Sequence, residues 1–550
     1  MNKITIDNIK KAHSLTNNKP DEYFVAYDNI YKLLQKRLNV NFDKEYLVYY
    51  SESGEVTRFG YEEFIKKAFK LANYLLENGV RKEARVGTFL HNHYDTVILY
   101  FACWSIGATV VPVNVNEEPE RVNYIFKDSN TRMVFTLQMY EEKLKKAVHD
   151  LPGELVLFDT LDYSQEKDRV MQRQLVDRET EAMIVYTSGT TGNPKGVVLT
   201  QYNLMIDADG IAIWHKIYKD DVMMCVLPIH HVNGTVVTIM TTMYYGGKLV
   251  LNQKFQTDKF LQRLQDESVK IVSVVPTLLQ FMNHSNEDVS KYNLENFSHI
   301  ICGAGPLTCE VAKNFEEKFD LRIVHGYGLS ETTCYSCFIP IDLSIAEHYQ
   351  WQNGFGYPSI GIPIYWNEME IHNEHGESQD EDVKGEIVIR GHNVMKYYFK
   401  NDEANAKTFE FGWFRSGDEG FFRYDKRKNK YFFITGRIKE LIIRGGVNIS
   451  TLEVDEVISG CEFAQAGICV GFENDWYGEE VGALIQLKEG VKESDELKVK
   501  ILDYFRTKLP AYKSPKVVIF TDTIPVTSTG KYQRNKVKHL FKEFKETQFK

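Results

Sequence analysis

From about residue 60 to 330 the chain alternates between two hydrophobic rhythms. "FGYEEFIKKAFKLANYLLENGV" (59–80) has apolar residues at helical spacing and closes on Gly79. "ARVGTFL" follows as a strand, and "AMIVYTS", "VMMCVLP", "GKLVL", "VKIVSVVP", "SHIICGAG" and "LRIVHGYG" have the same texture, most of them ending in Gly or Pro. Strands alternating with helices predict largely parallel sheets with crossover helices. Ligands bind beyond the carboxyl ends of such strands, so the loops after "VYTS", "CGAG" and "VHGYG" are where chemistry is expected. The longest apolar run, Thr96 to Val115, is broken by Gly107 and Pro112. It reads as a buried helix, a turn at Gly107 and a buried strand, with no transmembrane segment.

After about residue 355 the texture becomes short strands and turns: "GEIVIRG", "WFRSGDEGFFRYD", "KYFFITGR". The piece after about 438 has strands and amphipathic helices of its own, enough for a small domain. The expected fold class is therefore α/β. A large N-terminal domain (1–437) of α/β sheets plus a β-rich subdomain precedes a small α+β C-terminal domain (438–550), with the boundary near "TGRIKE". The chain's 550 residues exceed what one core holds, and 43% hydrophobic residues are enough for several. A net charge of −10 argues against a nucleic-acid partner. The lysine-rich tail from Lys536 to Lys550 alternates with Glu and Phe and reads as a solvated helix. The eight cysteines are scattered without a disulfide framework, and the Cys334/Cys337 pair lacks the second pair that zinc would need. Reduced thiols and a start without a signal-peptide pattern fit a cytoplasmic enzyme.

Residues 186–200 read "YTSGTTGNPKGVVLT". A strand enters this loop and a helix leaves it, with Thr200 as N-cap. Gly189 and Gly192 let backbone N–H groups turn toward an anion, and the hydroxyls of Thr187, Ser188, Thr190 and Thr191 add donors beside the charge of Lys195. A Walker A loop would need Gly-Lys-Ser/Thr opening a helix, whereas Lys195 stands between Pro194 and Gly196.

This stretch resembles the phosphate-loop signature of the adenylate-forming superfamily: acyl-CoA synthetases, nonribosomal peptide adenylation domains and insect luciferases. Other motifs follow in that family's order: "LPIHHVNG" (227–234), "CGAGPL" (302–307), "GYGLSETT" (326–333), "FRSGD" (414–418), "GRIKELIIRGG" (436–446) and "STGKYQR" (528–534). The resemblance spans Tyr186 to Arg534 and is nearest to fatty-acyl and carnitine-type acid–CoA ligases. It implies an ATP- and Mg²⁺-dependent enzyme. Gly303, Ala304 and Gly305 would form a nucleotide-pocket loop, and the Tyr327 face would receive adenine between Gly326 and Gly328. The Ser330 hydroxyl would reach the α-phosphate, Glu331 would bind Mg²⁺ as a hard oxygen ligand, and Asp418 would accept the ribose hydroxyls. Arg437 would contact ribose or phosphates. Lys531 would enter the site and stabilise charge built on the α-phosphate. Lys439 stands at the hinge of a mobile C-terminal domain, and Gly445 and Gly446 would line the path of pantetheine. His231 would border the acyl pocket, its neighbour His230 pointing away.

The reaction so implied activates a small-molecule carboxylic acid to an acyl-adenylate with loss of pyrophosphate. The acyl group then passes to a thiol. "HHVNG" has no carboxylate to pair a substrate ammonium, which disfavours α-amino acids. The small, apolar "NGTVVTIMTTMYYGG" suits a fatty or aromatic acid. Coenzyme A is the expected acceptor, and the phosphopantetheine of a carrier protein is the alternative.

Overall fold

The computed structural model describes residues 1–17, 22–148, 153–171, 175–187, 193–527 and 531–549. The predicted alternation builds two sheets. A 13-stranded sheet has at its centre the parallel strands Glu45–Tyr50, Lys248–Asn252, Val222–Cys225, Ile271–Val274, His299–Cys302 and Ile323–Tyr327. It continues through antiparallel strands Ser359–Pro363, Lys430–Arg437 and Phe414–Tyr424, which are the β-rich region foreseen after residue 355. A seven-stranded sheet carries Arg85–Leu90, Thr109–Asn114 and Glu181–Thr187 in parallel.

Between these sheets lies helix Tyr94–Ile106, buried all round from Thr96 onward. Its end is set by Gly107, whose φ of 75° is costly for any residue with a Cβ, and strand Thr109–Asn114 follows, as the apolar run predicts. Helix Gln201–His215 starts on the expected Thr200 cap, whose hydroxyl accepts from the Asn203 N–H while the Asn203 side chain answers back. Both helices and the facing strands share one core.

Strand Lys430–Arg437 is the last in chain order to join the large sheet, and the turn Ile438–Glu440 leads into a five-stranded sheet opened by Ile442–Arg444. Helices Thr451–Ser459 and Asp495–Lys508 pack on one face of that sheet. The C-terminal tail covers the other face: Phe541 is fully buried and stacks on Phe472 at 5.2 Å. The tail is thus not the solvated helix its charges suggest. Its phenylalanines close a second small core. The chain is a large N-terminal domain followed by a smaller C-terminal one.

Candidate active site

A cavity of about 820 Å³ lies where the two domains meet, at the carboxyl ends of the central parallel strands. Its walls include Ala304, Gly305, Tyr327, Asp418 and Arg437 from the large domain and Lys531 from the small one. Residues far apart in the chain converge here: Tyr327 and Arg437 end strands of the large sheet, Asp418 lies on the strand paired with Arg437's, and Lys531 comes from the small domain.

Asp418 sits on strand Phe414–Tyr424, 5% exposed. One carboxylate oxygen accepts from the Tyr327 O–H at 2.7 Å, and the other lies 3.3 Å from Arg437 Nε. A carboxylate has about four lone-pair positions, so this arrangement leaves acceptors for further hydroxyls. The Asp418 charge in turn raises the proton affinity of Arg437.

Glu331 lies in the tight turn Ser330–Thr332 and receives the Tyr398 O–H at 2.7 Å. The next residue but one, Thr333, has φ 61°, a backbone region that β-branched residues rarely enter. Its hydroxyl donates to the Asn393 carbonyl at 2.5 Å, which holds the strained turn in place. Tyr398 also lies under Lys195, whose Nζ is 4.8 Å from the ring centroid. Sequence reasoning missed Tyr398, because only the pairing of strand Tyr397–Tyr398 with Lys195–Thr200 brings it here.

Lys195 stands at the start of a strand, not in a loop running straight into a helix. "KGVVLT" pairs antiparallel with "EAMIVYT", Thr187 opposite Lys195. The β-branched residues of that run explain the extra strand. Ser188, Gly189, Thr190, Thr191 and Gly192 lie outside the described residues.

Lys531 faces this carboxylate–arginine cluster. Burial, reinforced by the Arg437 charge, lowers its pKa to about 8, with Asp418, Glu331 and Glu440 opposing the shift. His231 senses the Lys531 charge, and burial drives its pKa down to about 3, so it is neutral at pH 7. His230 is also buried, and its ring lies 4.6 Å from that of His231; the two do not point apart as adjacency suggested. Asn114 bonds the His230 ring, which accounts for that residue within the fold.

The fold fixes the places of the glycines in these motifs. A Cβ on Gly328 would come 1.8 Å from the Cys334 carbonyl oxygen, and one on Gly303 would come 2.5 Å from the Tyr335 hydroxyl. At Gly326 it would strike the Phe338 ring at 2.2 Å. Protein packing by itself demands glycine at these three positions, and Gly326 and Gly328 also line the cavity. Gly445 and Gly446 form the exposed turn between Ile442–Arg444 and Val447–Ile449, with φ of 56° and 84°, and take no part in the cavity wall. Lys439 is exposed in the turn Ile438–Glu440; burial, with the Lys439 charge adding to it, lowers the proton affinity of Lys195.

The apolar run after His231 is largely core. Val236, Val237, Ile239 and Met240 pack into the main core. Beside them is a hydrogen-bonded triad: Ser273 Oγ donates to Asn233 Oδ1 at 2.7 Å, and Asn233 Nδ2 donates to the Tyr335 hydroxyl at 3.1 Å. All three are buried.

Glu331 fits a hard divalent cation in kind: it offers a carboxylate oxygen, the donor type Mg²⁺ takes alongside substrate phosphates. Among the described residues no cluster of three or more His, Cys, Asp or Glu side chains could hold a metal by protein ligands alone. No helix among them is long and apolar enough to cross a membrane.

Comparison with known proteins agrees with this geometry. Residues 34–399 match the AMP-binding enzyme family, and residues 453–531 match the AMP-binding enzyme C-terminal domain. The chain is 32% identical to an oxalate–CoA ligase of Arabidopsis thaliana, over 84% of this chain and 90% of the relative. It is 28% identical to a long-chain-fatty-acid–CoA ligase of Bacillus subtilis, over 87% and 89%. Among solved structures, o-succinylbenzoate CoA synthetase of Bacillus subtilis with its acyl-adenylate intermediate superposes with a TM-score of 0.79 at 25% identity, over 93% of this chain and 98% of the other. ATP and CoA are the co-substrates these kinships imply. The chain therefore belongs to the AMP-binding enzyme family, as an AMP-forming ligase that activates a carboxylic acid and transfers it to coenzyme A.

Proposed function

We propose that the interdomain cavity carries both half-reactions, with Lys531 as the residue that drives the first. The observation behind this reading is the lysine's position in the wall shared with Asp418 and Arg437, close enough to Glu331 for their charges to interact. In the first step a carboxylate oxygen of the acid attacks the α-phosphorus of ATP, and the bond to pyrophosphate breaks. Negative charge grows on the α-phosphate oxygens, and a placed ammonium stabilises it. Asp418 would accept ribose hydroxyls, Tyr327 would face the adenine, and Arg437 would lie against ribose or phosphate. Lys195, Thr187 and the hydroxyls of 188–191 would grip the outer phosphates, and Ser330 the α-phosphate. Glu331 would hold Mg²⁺, whose chemistry is to neutralise phosphate charge. In the second step the CoA sulfur attacks the acyl carbon and AMP leaves.

We place the domain boundary at 437/438 and the hinge at Lys439. A hinge absorbs a backbone rotation, and proline at that position fixes φ. Lys439→Pro is therefore expected to slow thioester formation several-fold more than adenylation. Equal slowing of the two, measured as CoA thioester release and as pyrophosphate exchange, would remove Lys439 from that role. Cysteines that are buried at seven of eight positions and all unbridged fit a cytoplasmic setting.

The buried Asn233–Ser273–Tyr335 triad is satisfied within itself and belongs to the fold. For the acid we infer the fatty or aromatic class, since "HHVNG" offers no carboxylate to pair a substrate ammonium. The relatives act on acids as different as oxalate and long-chain fatty acids by their names, so the pocket must decide. A pyrophosphate-release screen over fatty, aryl and short polar acids, with and without free CoA, tests the reading. Fatty or aryl acids are expected to give the highest kcat/KM, with thioester formed on free CoA. Preference for a short polar acid would overturn the acid class, and a requirement for a carrier protein would overturn the acceptor.

A further inference from the structure

The small domain is held against the large one by a contact that none of the family motifs contains. Glu456, on helix Thr451–Ser459, places its two carboxylate oxygens 2.9 and 3.0 Å from the backbone nitrogen of Cys309. Cys309 is the first residue of helix Cys309–Phe319 in the large domain. The Thr308 cap serves the Val311 N–H, so Glu456 supplies an acceptor to an amide at the start of the helix that the cap leaves over. A carboxylate there also meets the positive end of the helix dipole.

The same helix is tied to the catalytic loop of its own domain. Asp455, adjacent to Glu456, is bonded through both oxygens to Arg534, with Nη1 at 3.1 Å from Oδ1. Arg534 is three residues beyond Lys531. Between them, Tyr532 donates to Gln280 Oε1 of the large domain at 3.3 Å. A continuous path of contacts therefore runs from the large domain's Cys309 amide through Glu456 and Asp455–Arg534 to the segment carrying Lys531.

We propose that Glu456 is a positioning residue: its contact with Cys309 docks the small domain so that Lys531 reaches the cavity for acyl-adenylate formation. The inference rests on the assignment of Lys531 to that half-reaction. Burial, with the Glu310 carboxylate adding repulsion, raises the Glu456 carboxyl to about 7, against the lowering by the Cys309 and Glu310 amides.

The neighbouring Cys309 thiol provides the test. In the full-length enzyme Glu456→Cys is expected to lower acid-dependent pyrophosphate exchange about 10-fold, because the Cys309 amide loses its acceptor. The acid used is the one selected by the screen above. Glu456→Gln, which keeps an acceptor, should recover most of the rate. Bridging the thiol introduced by Glu456→Cys to Cys309 with a short bis-methanethiosulfonate should restore exchange and block thioester formation from supplied acyl-adenylate, and dithiothreitol should reverse both effects. Cys309→Ser in the same background is the control. Failure of the bridge to form would show that the docked contact is not populated, whatever Lys531 does. A bridge that forms but leaves both half-reactions unchanged would overturn the positioning role, while the Lys531 assignment is tested separately by its own substitution.

Discussion

Replacing Lys531 by alanine is expected to abolish acid-dependent pyrophosphate exchange while largely sparing thioester formation from supplied acyl-adenylate. A preorganised charge aimed at a developing oxyanion contributes a factor on the order of 100 to 1,000 in rate, and Lys531 supplies that charge in the proposed mechanism. The split between half-reactions carries the test, because a folding defect would depress both. Titration gives a second readout. Burial and Arg437 hold the ammonium's pKa near 8. The charged form is the one below that value, so the exchange rate should fall as pH rises through about 8. A rate flat to about pH 9.5, with binding saturated, would contradict a charged Lys531 in the rate-limiting step.

Asp418→Asn is expected to raise the KM for ATP by about 10-fold or more, since hydrogen bonds to a charged group are worth roughly 1.5–3 kcal/mol each. The amide oxygen can still accept the Tyr327 O–H, but the charge opposite Arg437 is gone. The sharper measurement is discrimination. The unsubstituted enzyme should prefer ATP to 2′,3′-dideoxy-ATP, and the variant should lose most of that preference. If discrimination survives intact, Asp418 does not read the ribose, and its role is confined to ordering Tyr327 and Arg437.

Much of the fold was legible because local pattern and global architecture agree. "VKIVSVVP" and "SHIICGAG" could only be short buried strands, and Gly107 could only end a helix, since any Cβ there strains the backbone. The candidate site was legible for another reason. Its motifs resemble those of one enzyme family in their order, and the loops after "VYTS", "CGAG" and "VHGYG" stand at strand ends, where a parallel sheet exposes its loops. Tyr398, Asp455 and Glu456 were not legible, because each reaches its partner through an element with no sequence neighbourhood in common with it.

By itself the sequence determined the alternating α/β architecture, the order of its motifs and the residue types that nucleotide chemistry needs. Periodicity and turn residues act within about twenty residues, so they decide elements and loops. Tertiary structure decided what lies across space. It filled the room over Gly303, Gly326 and Gly328 with Tyr335, Phe338 and the Cys334 carbonyl, and it buried Phe541 of a charged tail. It also brought Lys531 of one domain beside Arg437 of the other. Those outcomes depend on which surfaces pack together, a choice set by the summed burial of whole faces and not by any single segment.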